Sequence, residues 1–246
     1  MYPLRITAFK VLSFGCYGTL IDRDSGIWTA LKPLLANGRI GRSRTDVLAA
    51  FERHEMALAA RTPQLPYCEV LTQAHRALAR EGAVLCSDAE HTLFGQSVPK
   101  WPAFADAPAA LQYFSRYFKT AVLVNADRHS FGASIRRLES KFDLVWTAEE
   151  MGSYSPDQHS FHRLIGKITG LGYDPGEILH LGASVHRDIA PAARTGLATA
   201  WIDRRSAGED ADRLSTCEGA AFGPRFFSIA DVVKAHQEEL RSGWAA

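Results

Sequence analysis

The stretch that decides the fold runs from residue 6 to residue 22 and reads ITAFKVLSFGCYGTLID. Its first part, Ile6 to Phe14, is largely apolar and leads into the turn Gly15-Cys16-Tyr17-Gly18. A strand that is buried on both faces, as in a parallel sheet, has this composition. The sequence therefore predicts a central first strand whose carboxyl end carries a tight turn bounded by glycines.

Strand and helix patterns alternate in the second half of the chain. Helical spacing and short apolar runs predict helix Pro108–Tyr117, strand Thr120–Asn125, helix Phe131–Lys141, strand Leu144–Thr147, helix Gln158–Gly170, strand Ile178–Gly182, helix Ile189–Thr195, strand Ala198–Ile202 and closing helix Phe227–Leu240. Such alternation is typical of right-handed βαβ units. We predict an α/β fold with a Rossmann-like, three-layer arrangement around a parallel sheet.

The segment between the first strand and this alternating part has helical patterns only. Apolar residues recur at helical spacing in Ile27–Leu35, Arg44–Ala60 and Tyr67–Arg80, and turn residues separate the three runs. We therefore predict a helical cap subdomain, residues 25–101, inserted after the first strand. Residues 1–24 and 102–246 would form the core.

The composition is that of an ordinary globular protein, with 246 residues, 46% hydrophobic and 22% charged. Its 28 basic and 27 acidic residues give a net charge of +1, which offers no footprint for nucleic acid. No segment approaches the roughly 20 apolar residues of a membrane span, and the first residues do not resemble a signal peptide. The four cysteines, Cys16, Cys68, Cys86 and Cys217, form no CxxC pair. We predict a cytoplasmic protein that binds neither nucleic acid nor membrane.

The site is expected where the strands end, because open parallel sheets bind ligands at the carboxyl ends of their strands. This rule selects the loops Gly15–Asp22, Asn125–Ser130, Tyr154–His159 and Gly182–Asp188. The inserted helices leave the sheet from the first of these loops. They are therefore placed to fold back over the site as a lid.

The same four loops resemble the motifs of the haloacid dehalogenase (HAD) superfamily. Residues 14–22, FGCYGTLID, resemble a first motif that reads FDCYGTLID in the dehalogenase branch, and residues 123–128, LVNADR, resemble the second. Residues 152–157, GSYSPD, resemble the third motif, GxYKPD. Residues 179–184, LHLGAS, followed by Asp188, resemble the fourth, HVGDS with a second aspartate five residues after the first. The resemblance spans nearly the whole chain and implies a HAD core with a cap.

Four positions depart from the family pattern. Gly15 stands where the family has its nucleophilic aspartate, and Val124 replaces the hydroxyl residue of the second motif. Ser155 replaces the lysine of the third motif, and Ala183 replaces an aspartate that binds metal in phosphatase members. Because Mg²⁺ requires several hard oxygen ligands, we predict no catalytic magnesium and no other cofactor.

Polar residues that survive in these loops are the candidates for chemistry. We predict Asp188, Tyr17 and Asn125 as catalytic groups. Arg53 lies on a cap helix, where related 2-haloacid dehalogenases place an arginine for the substrate carboxylate, so the resemblance implies it as the carboxylate anchor. Each has a structural alternative: Asp188 as a charge at the start of the next helix, Tyr17 in packing, Asn125 as a backbone cap and Arg53 on a solvated surface.

Six further positions are expected to line the ligand: Gly15, Cys16, Val124, Ser155, Ala183 and Ser184. Cys16 could replace the missing nucleophile, but adjacent strand residues point to opposite faces of a sheet. We therefore favour Cys16 as a small buried packing residue.

Three functions remain open on the sequence. The first is a repurposed enzyme that binds a small organic acid between core and cap and catalyses isomerisation, cyclisation or elimination without an aspartyl ester. The second is a binding or regulatory protein without catalysis, and the third is residual hydrolysis of the family type. The resemblance also allows a homodimer, because members of the dehalogenase branch often dimerise.

Overall fold

The structure is a computed structural model that describes residues 4–37, 43–152, 154, 158–204 and 223–243. Its sheet contains β1 (Val11–Gly15), β2 (Lys119–Val124), β3 (Leu144–Thr147), β4 (Ile178–Gly182), β5 (Ala198–Ile202) and β6 (Arg225–Phe226). The spatial order is β3-β2-β1-β4-β5-β6, and every neighbouring pair is parallel. The predicted α/β fold with a parallel sheet is confirmed.

Helices cover both faces of this sheet. The described part of the chain contains α1 (Arg23–Asn37), α2 (Arg44–Arg61), α3 (Tyr67–Glu81), α4 (Asp88–Gly95), α5 (Ala107–Phe114), α6 (Arg128–Leu138), α7 (Ala148–Met151), α8 (Gln158–Thr169), α9 (Ala190–Arg194) and α10 (Ile229–Gly243). Helices α1 to α4 follow β1 with no strand between them, as the helical pattern of this segment predicts. The sheet therefore carries an inserted helical cap.

Strand β1 is buried on both faces, because neighbouring strands flank it and helices cover it. Leu12 and Phe14 belong to the larger apolar cluster of the core. Val11 belongs to a second cluster on the opposite face of the sheet, as the twofold alternation of strand residues requires. The apolar run in the sequence reflects this double burial.

The first residues of the predicted strand form a different structure. Ile6–Ala8 is a single 3₁₀ turn, so the strand begins at Val11 rather than at Ile6. The backbone N–H groups of Ile6 and Thr7 donate to the carboxylate of Glu239 on α10, at 2.9 and 2.8 Å. The apolar Ile6 side chain packs into the core, and its backbone N–H donates to a side chain of α10 instead of to a neighbouring strand.

Aromatic rings join the end of β1 to the cap. Tyr17 lies 5.4 Å from Trp101 and 5.9 Å from Tyr67, measured between ring centroids. The Trp101 indole N–H donates to the Ser97 hydroxyl at 3.1 Å, and the Trp101 side chain is almost completely buried. These contacts fix the points where the chain leaves the core and returns to it.

Within the described ranges, no helix is long and apolar enough to cross a membrane. Cys16, Cys68 and Cys86 are free thiols.

Candidate active site

A small cavity lies where β1, β2 and β4 end, between the sheet and the cap helices α2 and α3. Its volume is about 30 Å³. The lining residues are Cys16, Tyr17, Arg23, Glu55, Tyr67, Leu123, Asn125, Arg187 and Asp188. The carboxyl ends of the strands thus bring Cys16, Tyr17, Asn125 and Asp188 together, as the sequence predicts.

Asp188 takes up the space beside Gly15. A Cβ atom added at position 15 would lie 3.2 Å from Cγ and from Oδ1 of Asp188, and 3.2 Å from Oγ1 of Thr19. Gly182, at the end of β4, permits this placement, because a Cβ atom there would lie 2.3 Å from the Asp188 Cβ. The Asp188 carboxylate therefore lies next to position 15, where the family pattern has its nucleophilic aspartate.

Asp188 belongs to a π-helical turn, Val185–Ile189, that leads directly into α9. Its Oδ2 accepts the Ser184 backbone N–H at 2.9 Å, and the Ser184 hydroxyl accepts the Arg187 backbone N–H at 3.1 Å. Burial raises the pKa of Asp188 from its ordinary value of 3.8 to about 6, although the Ser184 N–H and the Arg187 charge oppose the rise. A carboxyl group with this pKa can both take and give a proton near neutrality.

The loop that holds Asp188 is fixed by residues on neighbouring strands. The Ala183 N–H donates to the Thr19 hydroxyl at 2.9 Å, and the Trp201 indole N–H donates to the Ala183 carbonyl at 3.0 Å. Ala183 and Ser184 thus contribute backbone geometry, and their side chains do not line the cavity. Val124 is fully buried in β2, and the cavity wall is formed by Leu123 and Asn125 on either side of it. Ser155 lies outside the described residues.

Tyr17 and Cys16 are both protonated at neutral pH. The Tyr17 hydroxyl hydrogen bonds with the Ser134 hydroxyl at 3.2 Å, and burial raises the pKa of Tyr17 well above its usual range. Burial likewise raises the pKa of the Cys16 thiol, whose residue is 2% exposed. Because the thiolate is the nucleophilic form of cysteine, Cys16 is a poor substitute for the missing aspartate.

A buried network of ion pairs closes the cavity from the cap side. Glu55 pairs with Arg23, accepts the Tyr67 hydroxyl at 2.7 Å, and has Arg187 at 3.6 Å. Arg187 also pairs with Glu52 at 2.8 Å. Because Arg187 belongs to the core and both glutamates belong to α2, the network ties cap to core.

This network was not predicted from the sequence, although α2 carries a signal for it. Glu55 follows Phe51 by four residues and lies on the same apolar face as Val47, so its carboxylate is buried, at 4% exposure of the residue. Arg53 lies off this face. Its side chain is 64% exposed and pairs with Glu81 at 3.6 Å, so the structure does not place Arg53 at the cavity.

Two further hydrogen bonds hold the cap against the core. Asp127 caps α6 by accepting the Ser130 N–H at 2.8 Å, and it also accepts the Tyr67 N–H at 3.0 Å. The Tyr154 hydroxyl donates to the Leu65 carbonyl at 2.5 Å. The described structure is therefore closed, with its cap fastened at several separate points.

Magnesium, which phosphatase members of the superfamily use, does not fit the residues present. Position 15 has no side chain, position 183 has a methyl group, and Asp188 accepts the Ser184 N–H. In the ranges that the structure describes, no three His, Cys, Asp or Glu side chains come together as a metal site. A single carboxylate is a poor donor set for Mg²⁺.

The sheet order, the helical insertion after β1 and a cavity at the strand ends define a core-and-cap α/β fold of the HAD type. Solved structures share it over most of this chain. The L-2-haloacid dehalogenase from Xanthobacter autotrophicus superposes with a TM-score of 0.75 at 17% identity, covering 93% of this chain and 98% of its own. A defluorinating L-2-haloacid dehalogenase superposes with a TM-score of 0.74 at 18% identity, covering 96% and 98%.

A HAD-hydrolase candidate from Bacillus subtilis, YfnB, solved bound to magnesium, has a TM-score of 0.72 at 16% identity and covers 93% of this chain and 99% of its own. No protein-family model matches the sequence. The curated proteins contain no match to it either. Likeness at these identities shows that this chain has the HAD fold, and function has to be argued from the site.

Proposed function

We propose that this protein binds a small organic molecule between core and cap and transfers a proton to or from it through Asp188, without an aspartyl-ester intermediate. Residues 1–24 and 102–246 form the core in this proposal, and residues 25–101 form the cap. The observation that carries it is the Asp188 carboxylate, which lies at the cavity beside Gly15 with its pKa raised to about 6.

The remaining lining residues suit acid–base chemistry better than covalent catalysis. Gly15 offers no nucleophile, and the Cys16 thiol stays protonated. Asp188 is mostly ionised at neutral pH, so it can take a proton and return it at another atom, as an isomerisation, cyclisation or elimination requires. In this proposal Asn125 and Tyr17 orient the ligand, since both line the cavity.

Deuterium exchange tests the proposed function even while the substrate is unidentified. The purified protein is incubated in D₂O with a metabolite extract, and deuterium incorporation into the metabolites is then measured by mass spectrometry. An acid–base enzyme is expected to place solvent deuterium on carbon in one or a few compounds, and the Asp188→Asn variant is expected not to. Equal labelling by both proteins, or none by either, would count against a catalytic Asp188.

The pH dependence of stability tests the state of Asp188 directly. In the folded protein Asp188 keeps its carboxyl proton up to about pH 6, whereas in the unfolded chain it loses that proton near pH 3.8. The wild type is therefore stabilised at low pH. Relative to Asp188→Asn, it should lose up to about 3 kcal/mol between roughly pH 4 and pH 7. Urea unfolding of both proteins across this range measures the difference. A difference that is constant, or that grows with pH, would contradict a raised pKa.

Restoring aspartate at position 15 is expected not to restore dehalogenation. A Cβ atom there would lie 3.2 Å from Asp188, closer than ordinary van der Waals contact, and two carboxylates so close cannot both ionise readily. Ser155 also leaves the third motif without its lysine. The measurement is halide release from L-2-chloropropionate by Gly15→Asp, with Gly15→Asn as the matched uncharged control. Release well above that of the control would show that the family reaction needs only the aspartate.

One observation favours a second candidate, a binding or regulatory protein without catalysis. The cavity is small, at about 30 Å³, and side chains of α2 and α3 line it. A pseudoenzyme that uses the fold as a scaffold requires no larger cavity. Absence of deuterium transfer, together with a compound that copurifies unchanged, would favour this candidate.

Residual family hydrolysis is the third candidate, and a direct assay separates it from the others. We expect no turnover of p-nitrophenyl phosphate or L-2-chloropropionate, with or without Mg²⁺, because loss of such a nucleophile costs several powers of ten in rate. Turnover that disappears in Asp188→Ala would mean that hydrolysis persists without the aspartate and would overturn the proposal.

A further inference from the structure

Both arginines that line the cavity are already neutralised by carboxylates of the protein itself. Arg23 pairs with Glu55, and Arg187 pairs with Glu52 at 2.8 Å and lies 3.6 Å from Glu55. We infer that Glu55 occupies the anion position of this cavity, and that the molecule bound beside it is uncharged rather than a carboxylate. This inference rests on the proposed function for the existence of a ligand, and it replaces the organic acid expected from the sequence.

A ligand carboxylate would have to displace Glu55 from its partners. Glu55 is 4% exposed, and its oxygens are held by Arg23 and by the Tyr67 hydroxyl at 2.7 Å. A competing carboxylate would leave Glu55 buried without its partners, and an unpaired buried charge costs several kcal/mol. It would also approach Asp188, a second carboxyl group of the lining. The described lining therefore offers no net positive charge to an anion.

A neutral ligand finds a hydrogen-bond donor that the protein does not use. The Nε–H of Arg23 is buried and has no partner among the described residues, while the two terminal nitrogens of Arg23 pair with carboxylates. Buried donors are normally satisfied, so this N–H indicates an acceptor that is absent from the protein itself. Once cap and core move apart and expose this N–H, a carbonyl or hydroxyl oxygen of an uncharged molecule can accept from it without displacing Glu55.

The remaining wall of the cavity suits the same class of ligand. Leu123 and the ring of Tyr17 are apolar surfaces, and Asn125 provides an amide. Because the cavity is only about 30 Å³, we expect an organic molecule to enter when cap and core move apart. The expected class is therefore a small neutral amide, ketone or alcohol.

A matched pair of probes tests the charge of the ligand. L-lactamide and L-lactate have nearly the same shape and differ in charge, and saturation-transfer NMR reports which of them contacts the protein. The wild type is expected to show transfer to lactamide in preference to lactate. In Glu55→Gln the two arginines lose one neutralising charge, so the preference should shift toward lactate by about tenfold or more. Glu81→Gln, which changes an ion pair on the outer side of α2, should keep the wild-type preference.

The wild-type comparison decides the inference even if Glu55→Gln fails to fold. Transfer to lactate equal to or greater than transfer to lactamide in the wild type, including no transfer to either, would overturn it. A folded Glu55→Gln protein with an unchanged preference would overturn it as well. These outcomes are distinct from failure of the proposed function, since the NMR preference does not depend on proton transfer by Asp188 and the deuterium assay does not depend on ligand charge.

Discussion

Alanine at position 26 is expected to destabilise the folded protein by about 1–3 kcal/mol, the usual range for overpacking a dense core. Gly26 lies in the first turn of α1, and a Cβ atom there would lie 2.3 Å from Cγ and 2.4 Å from Cδ1 of the Trp101 indole. The indole cannot easily move aside, because Ser97 accepts its N–H and Tyr17 packs against it. The substitution should therefore loosen the point where the cap meets the core.

The control for this variant is Gly132→Ala in α6. A Cβ atom at position 132 would meet no atom within 4 Å, so alanine there only removes the conformational cost of a glycine in a helix. It should stabilise the protein by about 0.5–1 kcal/mol. Urea unfolding of both variants measures the contrast. Equal effects at the two positions would mean that Gly26 is not packed against Trp101 as described.

Strand positions could be predicted where the local pattern and the tertiary structure agree. Leu144–Thr147, Ile178–Gly182 and Ala198–Ile202 are strands with the predicted bounds, because each is a short apolar run between turn residues and each is covered in the sheet. The pattern failed at Ile6, where an apolar residue is buried without strand pairing. It also missed Arg225–Phe226, since two residues are too few to show any periodicity.

The core half of the site could be predicted and the cap half could not. Tyr17, Asn125 and Asp188 follow strands, and parallel strands place their carboxyl ends at one edge of the sheet. The partners of Arg187 are Glu52 and Glu55, more than a hundred residues earlier in the chain, and their meeting depends on how the cap docks. No spacing rule encodes such docking. The residue predicted from this helix as the carboxylate anchor was therefore Arg53, which lies away from the cavity.

The buried ion network leads to a second prediction with a large expected effect, which concerns Arg23. Replacing it with methionine should destabilise the protein by about 3 kcal/mol, because Glu55 is left buried without its closest counter-charge. Arg53→Met, on cap helix α2, should change stability by less than about 1 kcal/mol, since its pair with Glu81 is exposed. Both values come from urea unfolding at neutral pH.

The double variant Arg23→Met/Glu55→Leu distinguishes the loss of an ion pair from the loss of packing. Removing both charges together leaves no buried carboxylate unpaired, because Asp24, the other partner of Arg23, is partly exposed. Apolar replacements of buried ion pairs are often neutral or stabilising. The double variant should therefore be more stable than Arg23→Met alone, with a coupling energy of at least about 1.5 kcal/mol. Additive effects would mean that Arg23 contributes through its packing alone.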